Sequence, residues 1–128
     1  MGIIGGMFLT LSVQSPIRMG RIVVVVYKPF RDQQAAVLDI VRTHLPILRS
    51  EGFVTNRKPV VMKAADGCII EVFEWKSREA IEAAHYNPAV QELWMRAAKV
   101  CEFVKPVDIK EFHEPFSEFE AIDFEEHE

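Results

Sequence analysis

Residues 21–28, RIVVVVYK, are almost all β-branched and apolar on both phases, the pattern of a central strand covered on its two faces. Pro29 stops that run. Asp32 follows where an N-cap would stand, ahead of Val37, Ile40, Val41, Leu45 and Leu48 at helical spacing. Pro46 falls inside this stripe, and an interior proline costs about 3 kcal/mol. A kink across residues 42–46 is therefore expected, or a helix that ends there and restarts for a final turn before Gly52 closes the segment. Residues 53–65 read as a strand broken at Thr55-Asn56-Arg57-Lys58-Pro59. Asp66-Gly67 separates it from the apolar run of residues 68–75 and predicts a two-residue hairpin. Pro59 cannot donate to a ladder, so the earlier strand is expected to be the outer one.

The period then returns to helical. Ser77 can cap residues 78–86, which turn Ala80, Ile81 and Ala84 toward the sheet. Asn87-Pro88 fits an N-cap with proline in the first helical position. The next stripe is Val90, Leu93, Trp94, Ala97 and Cys101. In residues 103–113, Val107, Ile109 and Glu111 alternate with Asp108, Lys110 and Phe112, which predicts a last strand. The order is βαββαβ with the second crossover helix split: an α+β, ferredoxin-like fold with an antiparallel sheet and helices on one face. Residues 21–113 form this domain, preceded by an extension, residues 1–20, and followed by a tail, residues 114–128. Because residues 21–28 and 68–75 are apolar on both phases, the second sheet face also needs cover. A second copy of the chain is the simplest cover, so a sheet-on-sheet homodimer is expected.

Composition narrows the class. The chain has 128 residues, 49% hydrophobic and 27% charged, which suits one globular domain. Cys68 and Cys101 fall in apolar phases of a predicted strand and helix, which suggests buried reduced thiols and a cytoplasmic location. The net charge of −4 hides an asymmetry: residues 114–128 hold seven of the nineteen acids and no Lys or Arg. The first 113 residues therefore carry 15 basic against 12 acidic side chains. These cations are scattered rather than striped with aromatics, so nucleic-acid binding is not indicated, while an anionic small ligand remains open. The extension carries an apolar stretch, residues 3–13, without the basic start and cleavage site of a signal peptide, and too short and glycine-broken to cross a bilayer. It reads as an added edge strand or as a non-native start ahead of Met19-Gly20. In the tail, Phe116, Phe119 and Ile122 recur every third residue among acids. That pattern allows docking on the basic body or across a pocket mouth, and equally allows plain disorder.

EVFEWKSREAIEAAH followed by NPAVQELW resembles the antibiotic biosynthesis monooxygenase-like group of the dimeric α+β barrel superfamily, in which Trp-Lys-Ser, a Glu-Ala helix start and a nearby His recur; HLPILRSEGF is similar to that group's helix before the second strand. The likeness spans residues 21–113. It implies a pocket between the sheet and the crossover helices, and an enzyme of the cofactor-less monooxygenase kind acting on a small aromatic, polyketide-like or quinol substrate. The alternative is a non-catalytic homodimer that binds a small hydrophobic ligand. No cofactor is implied. The set expected of a haem-degrading member is not in place, since its histidine aligns with Trp94 and its tryptophan with Ala84.

Candidate site residues follow from these two lines. The resemblance puts Trp75 at a pocket wall, and the two-residue period puts Phe73 and Glu71 on the same face. Glu71 and Glu74 lie on opposite faces of one strand, and whichever points inward must be paired, hydrogen-bonded or protonated. It is either functional or in an ion pair with Lys28, Lys63 or Lys110. His85 closes a helix in phase with Ile81 and is the candidate acid or base, since imidazole titrates near pH 6.5; the competing reading is a helix C-terminal cap. His44 reads as a structural residue beside the kink, and His113 ends the last strand. Tyr27 and Trp94 complete the substrate-binding candidates, while Asn56 and Arg57 are possible polar contacts. His44, His85 and His113 lack metal-ligand spacing, so no metal site is predicted.

Overall fold

A computed structural model describes residues 20–124. The expectations for residues 1–19, the added strand and alternative start included, lie outside the described residues, as does the end of the tail. The elements are β1 (Arg21–Pro29), α1 (Gln34–Ser50), β2 (Val60–Lys63), β3 (Ile69–Trp75), α2 (Arg78–Ala84), α3 (Pro88–Val100), β4 (Cys101–Val104) and β5 (Glu120–Ala121). One five-stranded antiparallel sheet has the order β4-β1-β3-β2-β5. The first four strands carry the ferredoxin-like arrangement. The fifth comes from the tail.

Register fixes the two faces. Val23, Val25 and Tyr27 of β1 stand opposite Phe73, Glu71 and Ile69 of β3, and this odd-numbered face packs on α1, α2 and α3 through Val37, Val41, Leu45, Leu48, Ala84 and Val90. The even-numbered face holds Val26 and Ile70, which are covered by Ile109, Phe112 and Phe119. Residues beyond Val104 thus fold back over one end of the second face. Ile22, Val24 and Val60 on the rest of it are exposed.

The helix signals act as expected at two places. Ser77 Oγ accepts from the Ala80 N–H at 3.0 Å, and Asn87 Oδ1 accepts from the Val90 N–H at 3.1 Å with Pro88 in the first turn. Asp32 is not a cap. It sits at φ +63° in a turn closed by the Gln33 N–H on the Phe30 carbonyl, and α1 starts without a side-chain cap. Aspartate tolerates that left-handed conformation, so the turn takes it first. Nor does α1 stop and restart at Pro46: it is continuous from Gln34 to Ser50. The stripe of Val37, Val41, His44, Leu45 and Leu48 buried on the sheet exceeds the cost of one missing hydrogen bond.

Other expectations need correction. The strand predicted over residues 103–113 is only Cys101–Val104, followed by 3₁₀ turns at Pro106–Asp108 and Lys110–His113. Pro106 has no N–H for a ladder and holds Lys105 extended before the first turn. The alternation beyond it serves to bury Ile109. Cys101 opens β4 rather than ending the helix. Residues 53–65 supply one isolated bridge, Val54 to Trp75, and then β2 alone. The hairpin loop has three residues, Ala65 to Gly67, closed by the Ala64 N–H on Cys68 O, and Gly67 takes φ +96°. β2 is not outermost, because β5 pairs Ala121 with Met62 and Glu120 with Lys63. Ile122 and Phe124 then pack on the helix-side core, while Phe116 stays exposed. No helix among the described residues is long and apolar enough to cross a membrane.

Candidate functional site

Three elements bring one polar cluster into the helix-side core. Tyr27 comes from the inner end of β1, Glu71 from the middle of β3 and His44 from the buried stripe of α1. Their exposures are 2%, 1% and 5%. Tyr27 donates its hydroxyl to Glu71 Oε1 at 2.6 Å, and His44 Nδ1 lies 2.9 Å from the same oxygen. The Tyr27 oxygen and His44 Nδ1 are 3.5 Å apart. A carboxylate at this depth is costly unless it is hydrogen-bonded, and here two donors converge on one oxygen. Glu71 therefore points inward and pairs with a histidine, not with Lys28, Lys63 or Lys110.

The fourth member fixes the imidazole. Trp94 Nε1 lies 3.4 Å from His44 Nε2. An indole N–H only donates, so Nε2 must carry the lone pair. Nδ1 then faces Glu71 as its donor, and Nε2 is turned away from the carboxylate toward Trp94. Phe73 holds the ring edge-on, 5.3 Å between centroids. The Tyr27 pKa is pushed well above 10 by burial first and by the adjacent Glu71 second, which keeps the hydroxyl a donor.

A cavity of about 280 Å³ lies against this cluster, between the sheet, α1 and α3. His44, Tyr27, Phe73, Trp75, Trp94 and Phe103 are on its wall, together with aliphatic side chains, and no Lys, Arg, Asp or Glu lines it. Glu71 stands behind the wall. Phe103 is 48% exposed and stands at the β4 side, where the sheet ends early. The four residues named from the sequence as substrate contacts, Trp75, Phe73, Tyr27 and Trp94, thus share one cavity. His85 is not among its lining residues. It is exposed, with Nδ1 2.8 Å from the Ile81 carbonyl at the end of α2, and its ring rests on the outer side of Trp94 at 5.2 Å.

Glu74 is on the other sheet face. Its Oε1 accepts from Thr55 Oγ1 at 2.8 Å and from Arg57 Nε at 2.9 Å. Arg57 is thereby engaged there and not in the cavity, and Asn56 lines clefts elsewhere on the surface. His113 is exposed, its Nε2 2.7 Å from the Val107 carbonyl. Both thiols are buried: Cys68 is pushed up to about 11 by burial and by Asp66, and Cys101 is raised by burial, so neither is a ready nucleophile. Among the described residues no three His, Cys, Asp or Glu side chains cluster as metal ligands.

The sequence pointed to His85 as the base and treated His44 as structural. The signal for His44 lay in its phase: Val37, Val41, His44 and Leu48 recur at four, three and four residues, which places the imidazole in the middle of the buried stripe. Its neighbour Pro46 drew attention to the backbone instead.

No family model and no curated protein matches this chain. A solved structure, that of Rv0793 from Mycobacterium tuberculosis, is similar in fold, with a TM-score of 0.53 and 16% identity. The match covers 71% of this chain and 98% of that one.

Proposed function

We propose that this protein is a cofactor-independent enzyme of the monooxygenase kind, acting on a small aromatic, polyketide-like or quinol substrate, with His44 as its general base. One observation carries the reading: a buried imidazole, oriented by Glu71 through Nδ1, lies on the wall of an apolar cavity with Nε2 turned away from the carboxylate toward Trp94. A carboxylate-oriented imidazole suits proton abstraction near neutral pH. The lack of charged side chains on the cavity wall favours an uncharged substrate. Tyr27, Phe73, Trp75 and Trp94 hold the ring faces.

A substrate hydroxyl or activated CH₂ displaces the long Trp94 contact and gives its proton to His44 Nε2. The resulting imidazolium is stabilised by Glu71, and the resulting substrate anion is electron-rich. Dioxygen, the co-substrate, accepts those electrons and forms a hydroperoxide at the carbon. Loss of water leaves a ketone, so one oxygen atom enters the product and the other departs with two substrate hydrogens, both from the CH₂ or one each from the hydroxyl and the attacked C–H. The apolar wall excludes water from the anion. His85 has no part in this scheme.

Oxygen uptake with a panel of hydroquinones and anthrones tests it. His44→Ala is expected to lower the rate about 10²- to 10⁴-fold, the usual range for a general base, and His85→Ala to leave it within about threefold of wild type. Equal activity of wild type and His44→Ala ends the assignment. Uptake with no member of the panel, alongside tight binding of one, favours a non-catalytic binder of small hydrophobic molecules.

The same reading includes a homodimer through the open sheet face. Val24, Val72 and Val60 form one row across β1, β3 and β2 by register, and Ile22 and Val60 are 55% and 54% exposed. Such a patch favours association. Light scattering should give twice the chain mass at micromolar concentration, and Val24→Lys should return a monomer.

A further inference from the structure

A second cleft lies on the other side of α1 from the His44 cavity. It measures about 600 Å³ and runs between α1, the loop leading into β2, and the tail. Arg42, Leu45, Pro46 and Arg49 share one helix face, with the two arginines about 10 Å apart along the axis. The tail provides the opposite wall: the Ile122 N–H donates to the Val61 carbonyl at 2.9 Å, fixing Ile122 and Phe124 beside Leu45 and Val61. The floor is thus apolar, and it exists because β5 docks.

The charge around it is one-sided. Arg42, Arg49 and Lys58 line the cleft against one acid, Asp123. Arg42 is held by Asp39, and Lys58 makes no ion pair among the described residues. Arg49 donates Nε to the Thr55 carbonyl, which anchors its guanidinium at the start of the loop that carries Asn56 and Lys58. Arg49, Asn56 and Lys58 thus give the cleft two cations and an amide, while Leu45, Pro46, Ile122 and Phe124 give it apolar wall, with Arg42 and Asp123 beside them. The His44 cavity has the reverse character, with no charged side chain on its wall.

We propose that this cleft binds a small amphipathic carboxylate, with the carboxylate at Arg49, Asn56 and Lys58 and an apolar chain or ring along Leu45, Pro46, Ile122 and Phe124. Arginine and lysine together supply charge-assisted donors for such a head group. The tail is a wall of the site, and this gives the docked strand a role beyond covering β2.

Calorimetric titration of the full chain with octanoate, and with octanol as the uncharged control, tests the assignment. Octanoate should bind at least about tenfold more tightly than octanol, and weaken as salt rises because the charges are near the surface. The double variant Arg49→Gln/Lys58→Gln should lose about tenfold in octanoate affinity, the loss of roughly one charge-assisted contact. Phe103→Ala, which removes a half-exposed wall of the His44 cavity instead, should leave octanoate binding unchanged. Equal binding of octanoate and octanol, an unaltered affinity in the double variant, loss of binding in Phe103→Ala, or no binding at millimolar octanoate would each overturn the proposal.

Discussion

Glu71 and Glu74 sit three residues apart on β3 and face opposite ways, and the chain treats them differently. Glu71 is enclosed by two buried side chains, Tyr27 and His44, which both reach a single oxygen. Glu74 is held near the strand end by a hydroxyl and by the guanidinium of Arg57, which is itself 62% exposed. Both are nearly buried, at 1% and 8%. Depth alone therefore does not mark a functional carboxylate. The partners decide: those of Glu71 pass its influence to a lone pair on a cavity wall, whereas the Arg57 partner of Glu74 reaches toward solvent. A surface-facing arginine ends the chain of interactions. A buried imidazole continues it.

The largest effect should come from removing the inner carboxylate. Glu71→Ala leaves the buried Tyr27 hydroxyl and His44 Nδ1–H without their acceptor, and each unsatisfied buried donor costs about 1–3 kcal/mol. Urea denaturation should show that loss as a lower midpoint. Glu71→Gln keeps an oxygen in place, so it should recover most of the stability while oxygen uptake stays at least about tenfold below wild type, because an amide does not stabilise the imidazolium. If Glu71→Gln were as active as wild type, Glu71 would be a structural residue like Glu74 and the contrast would fail.

Tyr27 offers an intermediate test through pH. Its folded pKa lies well above 10, first through burial and then through Glu71. Above pH 10 the unfolded chain releases this proton while the folded chain keeps it, so the unfolded state binds fewer protons and stability falls as pH rises. Below pH 10 the contribution is intact. Urea midpoints at pH 9 and pH 11 should therefore drop more for wild type than for Tyr27→Phe. Cys68, raised to about 11, and Cys101, also raised by burial, are present in both proteins, so the difference between the two reports Tyr27. At pH 7, Tyr27→Phe should cost about 1.5–3 kcal/mol, the value of a hydrogen bond to a charged group.

Much of this arrangement is legible in the residues, and the rest is hidden for physical reasons. The apolar run of β1, the period-two pattern of β3, and the caps at Ser77 and Asn87 define the sheet and crossovers because each is a local signal about a local hydrogen bond. The alternation of β3 also puts Glu71, Phe73 and Trp75 on one face. Periodicity does not say how deep a helical residue sits or which side chain answers it, so the pairing of His44 with Glu71, 27 residues away, depends on the packing of α1 on the sheet. The same limit hides β5. Two residues, Glu120 and Ala121, have little strand character of their own and gain it from the free edge of β2. Residues 105–113 mislead in the other direction, since one proline turns an alternating strand pattern into two 3₁₀ turns.

The smallest effect belongs to the outer carboxylate's partner. Arg57→Ala removes one ion pair whose cation is more than half in water, and pairs of that kind contribute about 0–1 kcal/mol. Glu74 keeps its hydrogen bond from Thr55, so its carboxylate is not left bare. The urea midpoint should shift little, the shift should shrink further in 1 M salt through screening, and oxygen uptake should be unchanged, because Thr55 and Arg57 hold Glu74 on the sheet face away from the His44 cavity. A drop in activity from Arg57→Ala comparable to that from Glu71→Gln would show that the two faces of β3 are coupled, and the separation between a structural and a functional carboxylate on one strand would have to be abandoned.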